Sequence, residues 1–177
     1  MEFKLLSDEE INKTMGEKMN ISHNIKYVKE KNDGFYTPKE LALLCVYQMP
    51  LKYNDVWLES AYGTGNFFSQ FPTNTINKFT KDFFNWNEKV DYCVTNPPYS
   101  KLDDWFKHTI KISNKGFGLL LGWNNLTARK IEMANKEGFG LTKIIMFKVF
   151  KWFGMSCFVV FEKDKDNIIQ INRKVWK

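Results

Sequence analysis

A chain of 177 residues is long enough for one domain with a single core, and its 44% hydrophobic and 16% aromatic content excludes a disordered segment or a coiled coil over most of its length. No apolar run approaches the roughly 20 residues of a membrane-spanning helix. The N-terminus turns acidic at Ser7-Asp8-Glu9-Glu10, without the apolar stretch of a signal peptide, so a cytoplasmic protein with no membrane association is expected.

Ser7-Asp8-Glu9-Glu10 also has the spacing of a capping box, with Ile11, Met15 and Met19 on one helical face behind it. Residues 1–34 are therefore predicted to form a helical extension, ahead of a core over 35–163 and a basic tail over 164–177, all within one domain. Thr37-Pro38-Lys39-Glu40 predicts a helix start. The threonine caps, the proline takes the first helical position and the glutamate reaches back from the third. That helix continues through residues 41–46. Val56-Trp57-Leu58 reads as a short buried strand that ends in Glu59-Ser60-Ala61-Tyr62-Gly63-Thr64-Gly65. Residues 90–95 form a second strand running directly into Asn96-Pro97-Pro98-Tyr99. Ser100 is placed to cap a helix carrying Leu102, Trp105, Phe106 and Ile110, with Asp103 and Asp104 near its positive end. An apolar strand over 117–121 follows, then a helix over 126–136 closed by Gly138. Strands over 144–150 and 157–161 meet at a turn near Gly154. Alternating strands and helices that finish in a hairpin predict an α/β sandwich, mostly parallel with an antiparallel edge.

The chemistry concentrates in Asn96-Pro97-Pro98-Tyr99. It sits at the carboxyl end of a buried strand, where open α/β sheets bind their ligands. Two successive prolines remove two backbone donors and stiffen the turn. What remains is a pair of acceptors, the Asn96 side-chain oxygen and the Pro97 carbonyl, for the two protons of one amino group. An aromatic amine is a poor nucleophile because its lone pair is delocalised into the ring. Holding both protons favours a tetrahedral nitrogen whose lone pair points at an incoming methyl group. Tyr99 adds a flat face on which a base can stack, worth about 1–3 kcal/mol. The plainer alternative is a strand-terminating turn that happens to be rich in proline.

A second constellation suits a ligand with a positive and a negative pole. The Gly63-Thr64-Gly65 turn brings backbone close to a ligand, with a helix start expected behind it. Glu59 suits a cation such as the amino group of a methionine moiety and is a poor partner for a diphosphate. The helix start at Thr37 offers N–H groups and a positive dipole end to a carboxylate, or is simply a well-capped structural helix. Asp82-Phe83 sets an acceptor beside an aromatic, which an adenine amino group could use, although the pair by itself is unremarkable. Together these parts point to S-adenosylmethionine. Cys45, Cys93 and Cys157 are an odd, scattered set among apolar neighbours and are expected as buried, reduced thiols. His23 and His108 lack metal-ligand spacing, and no metal is expected.

Four segments carry a family resemblance: Phe35-Tyr36-Thr37-Pro38, Leu58-Glu59-Ser60-Ala61-Tyr62-Gly63-Thr64-Gly65-Asn66-Phe67, Asp82-Phe83 and Asn96-Pro97-Pro98-Tyr99. In that order, over roughly residues 34–123, they resemble the amino-methylating DNA methyltransferases, above all the adenine-N6 group whose Thr-Pro element comes first. The resemblance implies an α/β, Rossmann-like S-adenosylmethionine-dependent methyltransferase fold with a C-terminal antiparallel hairpin. It implies that Tyr36 and Thr37 contact the methionine end of the cofactor. Glu59, Ala61, Gly63 and Gly65 would form the cofactor loop, Asp82 would accept from the cofactor adenine, and Phe83 would pack near it. Asn96, Pro97, Pro98 and Tyr99 would hold the target, with Tyr99 stacking on a base flipped out of the duplex. Trp152 or Phe153 would supply a second wall to the base pocket or belong to the core.

The sequence departs from the family pattern in three places. Ser60 replaces the usual proline. Only 30 residues separate Gly65 from Asn96, and residues 68–81 contain no acid for the ribose hydroxyls, which implies a shortened second βα unit. No separate target-recognition domain is expected, so specificity would come from loops, a partner specificity subunit, a homodimer or the basic C-terminal part. The net charge of +6 gathers in that part: residues 101–177 carry an excess of eight positive charges, whereas 1–34 and 35–100 each carry one negative. Such placement suits a polyanion, and equally a solvated lysine surface. DNA adenine N6 is the expected target. RNA, cytosine N4 or a protein glutamine would suit the same turn, and a non-catalytic nucleic-acid-binding partner subunit is the alternative of a different class.

Overall fold

The computed structural model describes residues 36–148 and 155–171. The helix expected behind Ser7, together with Phe35, Trp152, Phe153 and the turn near Gly154, lies outside the described residues. Among the described residues there are three α-helices and six strands: α1 (Lys39–Val46), β1 (Val56–Glu59), β2 (Ile76–Phe79), β3 (Val90–Thr95), α2 (Leu102–Ile112), β4 (Ser113–Gly122), α3 (Ala128–Lys136), β5 (Phe139–Phe147) and β6 (Ser156–Lys163). The strands form one sheet in the order β2-β1-β3-β4-β6-β5. β2, β1, β3 and β4 run parallel, and β6 and β5 close the sheet as an antiparallel pair. This is the expected α/β architecture with its C-terminal hairpin.

Both faces of the sheet are covered, which explains why the central residues of β1, β3, β4 and β6 are buried in continuous runs rather than at alternate positions. Period-2 geometry divides their side chains between two cores. Leu58, Cys93, Phe117, Leu119, Leu121, Val159 and Phe161 pack with Trp105, Phe106 and Ile110 of α2 and Ile131 and Ala134 of α3. Trp57, Tyr92, Val94, Leu120, Phe158 and Val160 pack with Leu41, Ala42, Cys45 and Val46 of α1. Cys45, Cys93 and Cys157 are free and fully buried, as expected.

Several local expectations are corrected. Pro38, not Thr37, occupies the N-cap of α1, and no side chain caps that helix. The threonine is drawn away because its hydroxyl and its carbonyl are both engaged by distant residues. Ser100 falls inside a 3-10 turn, Tyr99–Lys101, so the N-cap of α2 passes to Lys101. The dipole role of Asp103 and Asp104 holds, as both lie in the first turn of α2. α3 is capped by Thr127, whose side chain accepts from the Lys130 N–H, and it ends before Gly138 at φ 77°. β5 begins at Phe139, earlier than its hydrophobic run suggests, because the chain turns directly from Gly138 into the sheet.

The second βα unit is indeed cut down. β2, which the sequence pattern does not announce, has only four residues and is an edge strand. The segments before and after it carry no α-helix, only the 3-10 turns Phe68–Gln70 and Phe83–Asn85. The helix expected behind Gly65 is thus a single tight turn.

Candidate functional site

The carboxyl ends of β1 and β3 meet side by side. Ala61 N–H donates to Thr95 Oγ1 at 3.2 Å, tying the loop after β1 to the last residue before Asn96. Within that loop Gly63 and Gly65 have φ 50° and 74°, a left-handed conformation that costs glycine little. A side chain at either position would also crowd a neighbouring tyrosine. A Cβ on Gly63 would lie 3.1 Å from the Tyr36 ring, and one on Gly65 would lie 2.8 Å from Tyr62. Tyr36 therefore lies over the loop, 59% exposed, so it walls the site rather than filling the core.

Glu59 is only 2% exposed. Its Oε2 accepts the Phe68 N–H at 2.7 Å. Burial pushes its carboxyl up to about 8, against the backbone N–H groups of Phe68 and Phe67, which favour the ionised form. Besides its expected place in the loop, Glu59 is thus the bond that closes it. Ser60 is buried and accepts from Trp105 Nε1 at 3.0 Å.

Thr37 is 6% exposed and joins two parts of the site. Its carbonyl accepts from Asn66 Nδ2 at 2.8 Å, and its hydroxyl accepts from Asn96 Nδ2 at 3.2 Å. Asn96 thus meets the start of α1 across 59 positions of sequence. Pro97 is buried and Pro98 half-buried, and Tyr99 begins the turn that leads into α2. Tyr99 is 36% exposed. Burial of its hydroxyl pushes the phenol up to about 12, opposed by the Gly122 N–H at the end of β4.

The structure places Asp82 and Phe83 apart in character. Asp82 is exposed, accepts from Asn85 Nδ2 at 2.7 Å and donates its N–H to Thr80 Oγ1. Phe83 turns into the core at 2% exposure, with its ring 4.6 Å from Trp105 and 4.7 Å from His108. The apolar face of α2 takes it, and Phe84, 39% exposed, is left as the open aromatic of that turn.

Other residues at this edge escaped sequence reasoning. Asn66 carried a signal, since it directly follows Gly65. Tyr62 and Phe79 pair with ring centroids 4.2 Å apart, and Phe79 stands level with Glu59 in the sheet register. Trp123, 42% exposed just beyond β4, donates its N–H to the Met155 carbonyl at 2.8 Å. Nothing in the spacing distinguishes these three aromatics from core residues.

No family model matches the sequence, and no curated protein matches it. Solved structures do. The precorrin-6y C5,15-methyltransferase of Geobacter metallireducens superposes with TM-score 0.56 at 11% identity, covering 75% of this chain and 92% of its own. The 23S rRNA methyltransferase ErmE gives 0.56 at 9% identity, over 77% of this chain and 72% of its own. The magnesium protoporphyrin IX methyltransferase ChlM of Synechocystis PCC 6803, solved with bound SAM, gives 0.51 at 11% identity, over 92% of this chain and all of its own. The chain therefore has the Rossmann-like α/β methyltransferase fold. No helix among the described residues is long and apolar enough to cross a membrane.

Proposed function

We propose that this chain is an S-adenosylmethionine-dependent methyltransferase acting on the exocyclic amine of a nucleic-acid base, specifically N6 of adenine in DNA. The observation that carries the proposal is the seat of Asn96-Pro97-Pro98-Tyr99. It leaves β3 beside the loop of β1, with Thr95 bonded to Ala61 and Asn96 bonded to Thr37. An amine held there lies next to the glycine-bearing loop that offers its backbone to a ligand.

The residues present fit the cofactor. Gly63 and Gly65 turn the loop in a left-handed backbone that carries no side chain, Glu59 offers a carboxyl to an ammonium, and Tyr36 with the Thr37 backbone faces the methionine end. Asp82 is exposed and able to accept from an adenine amine, with Phe84 rather than Phe83 as its aromatic neighbour. The ChlM structure, which holds SAM in the same fold, supports this assignment. When bound, S-adenosylmethionine supplies a methyl group made electrophilic by its sulfonium.

The protein's own part is to prepare the nitrogen. Asn96 Oδ1 and the Pro97 carbonyl accept the two N–H bonds of the amine, localising its lone pair away from the ring. Tyr99, anchored through its hydroxyl at Gly122, holds the base plane by stacking. No strong base is needed before transfer, because the nitrogen becomes acidic only once it carries the new bond and then loses a proton to water. The positive excess of residues 101–177 supplies attraction for the polyanion, and sequence selection falls to loops, a partner subunit or a second copy of the chain.

Incubation with methyl-labelled S-adenosylmethionine and mixed DNA and RNA tests the proposal. Label on N6 of adenine in DNA is expected. Label on RNA or on cytosine N4 would move the substrate, and no transfer to any polymer would favour the non-catalytic reading.

A further inference from the structure

We propose that Thr37 is the positioning residue of Asn96, tethering the Asn96 carboxamide by its Nδ2 end beside the target amine. The inference rests on the amine-methylating reading above. A carboxamide has one accepting and one donating end, and a half-turn about its last bond exchanges them. With the oxygen toward the substrate, Asn96 accepts an N–H. With the ends exchanged it opposes donor to donor and the lone pair is not localised.

In the structure Thr37 holds the first of the two. Its hydroxyl oxygen accepts from Asn96 Nδ2 at 3.2 Å, which holds the nitrogen on the α1 side and commits the oxygen to another direction. Thr37 is itself fixed. It is 6% exposed, its carbonyl takes the Asn66 amide at 2.8 Å, and Pro38 behind it limits its backbone. Asn66 follows Gly65, so the bonds run from the cofactor loop through Thr37 to the catalytic carboxamide. Disturbance of the loop is thereby felt at Asn96 without touching it.

Thr37→Val keeps the shape and removes the acceptor, whereas Thr37→Ser keeps the hydroxyl. At saturating cofactor, Thr37→Val is expected to lower kcat about 100-fold. Its KM for nucleic acid and its cofactor affinity by calorimetry should stay within about threefold, because the backbone, not the hydroxyl, meets the methionine end. Thr37→Ser should restore kcat to within about threefold of the parent. In nitrogen-15 NMR the Asn96 side-chain NH2, identified by its loss in Asn96→Asp, should exchange slowly in the parent and in Thr37→Ser, and fast in Thr37→Val. If Thr37→Val does not fold, Asn66→Ala tests the same bonds from the other end and should lower kcat about tenfold. Parental kcat in Thr37→Val, or equal loss in the serine variant, overturns the inference. A parent chain that methylates no polymer overturns the underlying reading instead.

Discussion

Phe68 donates its backbone N–H to the Oε2 of Glu59 at 2.7 Å, and this bond ties the end of β1 to the first 3-10 turn. The same carboxyl is the proposed partner of the cofactor's cationic amino group, so loop closure and ligand charge compete for one group.

That competition predicts a proton signature. Glu59 titrates near 4.5 as an ordinary carboxyl and near 8 when buried here. Between those values the folded state holds a proton that the unfolded chain has lost, so ligand-free stability should fall as pH rises from about 4.5 to 8. Thermal melts across that window should show the decline, and Glu59→Gln should flatten it. Binding a cationic amino group favours the ionised carboxyl. At pH 6.5, calorimetry in buffers of different ionisation heat should therefore detect about one proton released per cofactor bound. Equal slopes and equal proton counts in parent and Glu59→Gln would show that Glu59 is not the partner.

Asn96→Ala should abolish methyl transfer while leaving cofactor affinity within about twofold, because the side chain serves the target amine and not the cofactor. Single-turnover rates and calorimetry measure the two quantities separately. Residual transfer at the parent rate would remove the proposed mechanism.

Ser60→Ala should destabilise the fold by about 1–3 kcal/mol, since it leaves the buried Trp105 Nε1 without its acceptor. Urea denaturation gives the value. A neutral result would mean that the Trp105–Ser60 bond is replaceable by water.

Phe79, level with Glu59, occupies the end of the edge strand where an acid would serve ribose hydroxyls. The 2′,3′-dideoxy form of S-adenosylhomocysteine should then bind within about threefold of the parent compound, the remaining hold coming from the Tyr62 and Phe79 rings. A tenfold or greater loss would place a ribose acceptor elsewhere, with Asp82 the first to examine.

Strong local patterns were legible in the sequence. β1, β3 and α2 follow from apolar runs bounded by chemistry-bearing turns, and Asn96, Glu59, Gly63 and Gly65 stand out by residue type and order. What stayed hidden depends on tertiary partners. β2 has neither alternation nor an apolar run, and it is a strand because β1 offers it an edge. Thr37 looks like a cap until Asn66 and Asn96 take its carbonyl and hydroxyl. Phe83 and Phe84 are equivalent as letters, and only the apolar face of α2 buries one and leaves the other open.

The central claim is tested most directly by mass spectrometry of nucleosides from cells expressing the parent chain or Asn96→Ala. N6-methyladenine in the DNA digest, above that of cells lacking the gene and absent with Asn96→Ala, is the predicted result. Identical methylated-nucleoside profiles for parent, variant and empty cells, in both DNA and RNA, would contradict it.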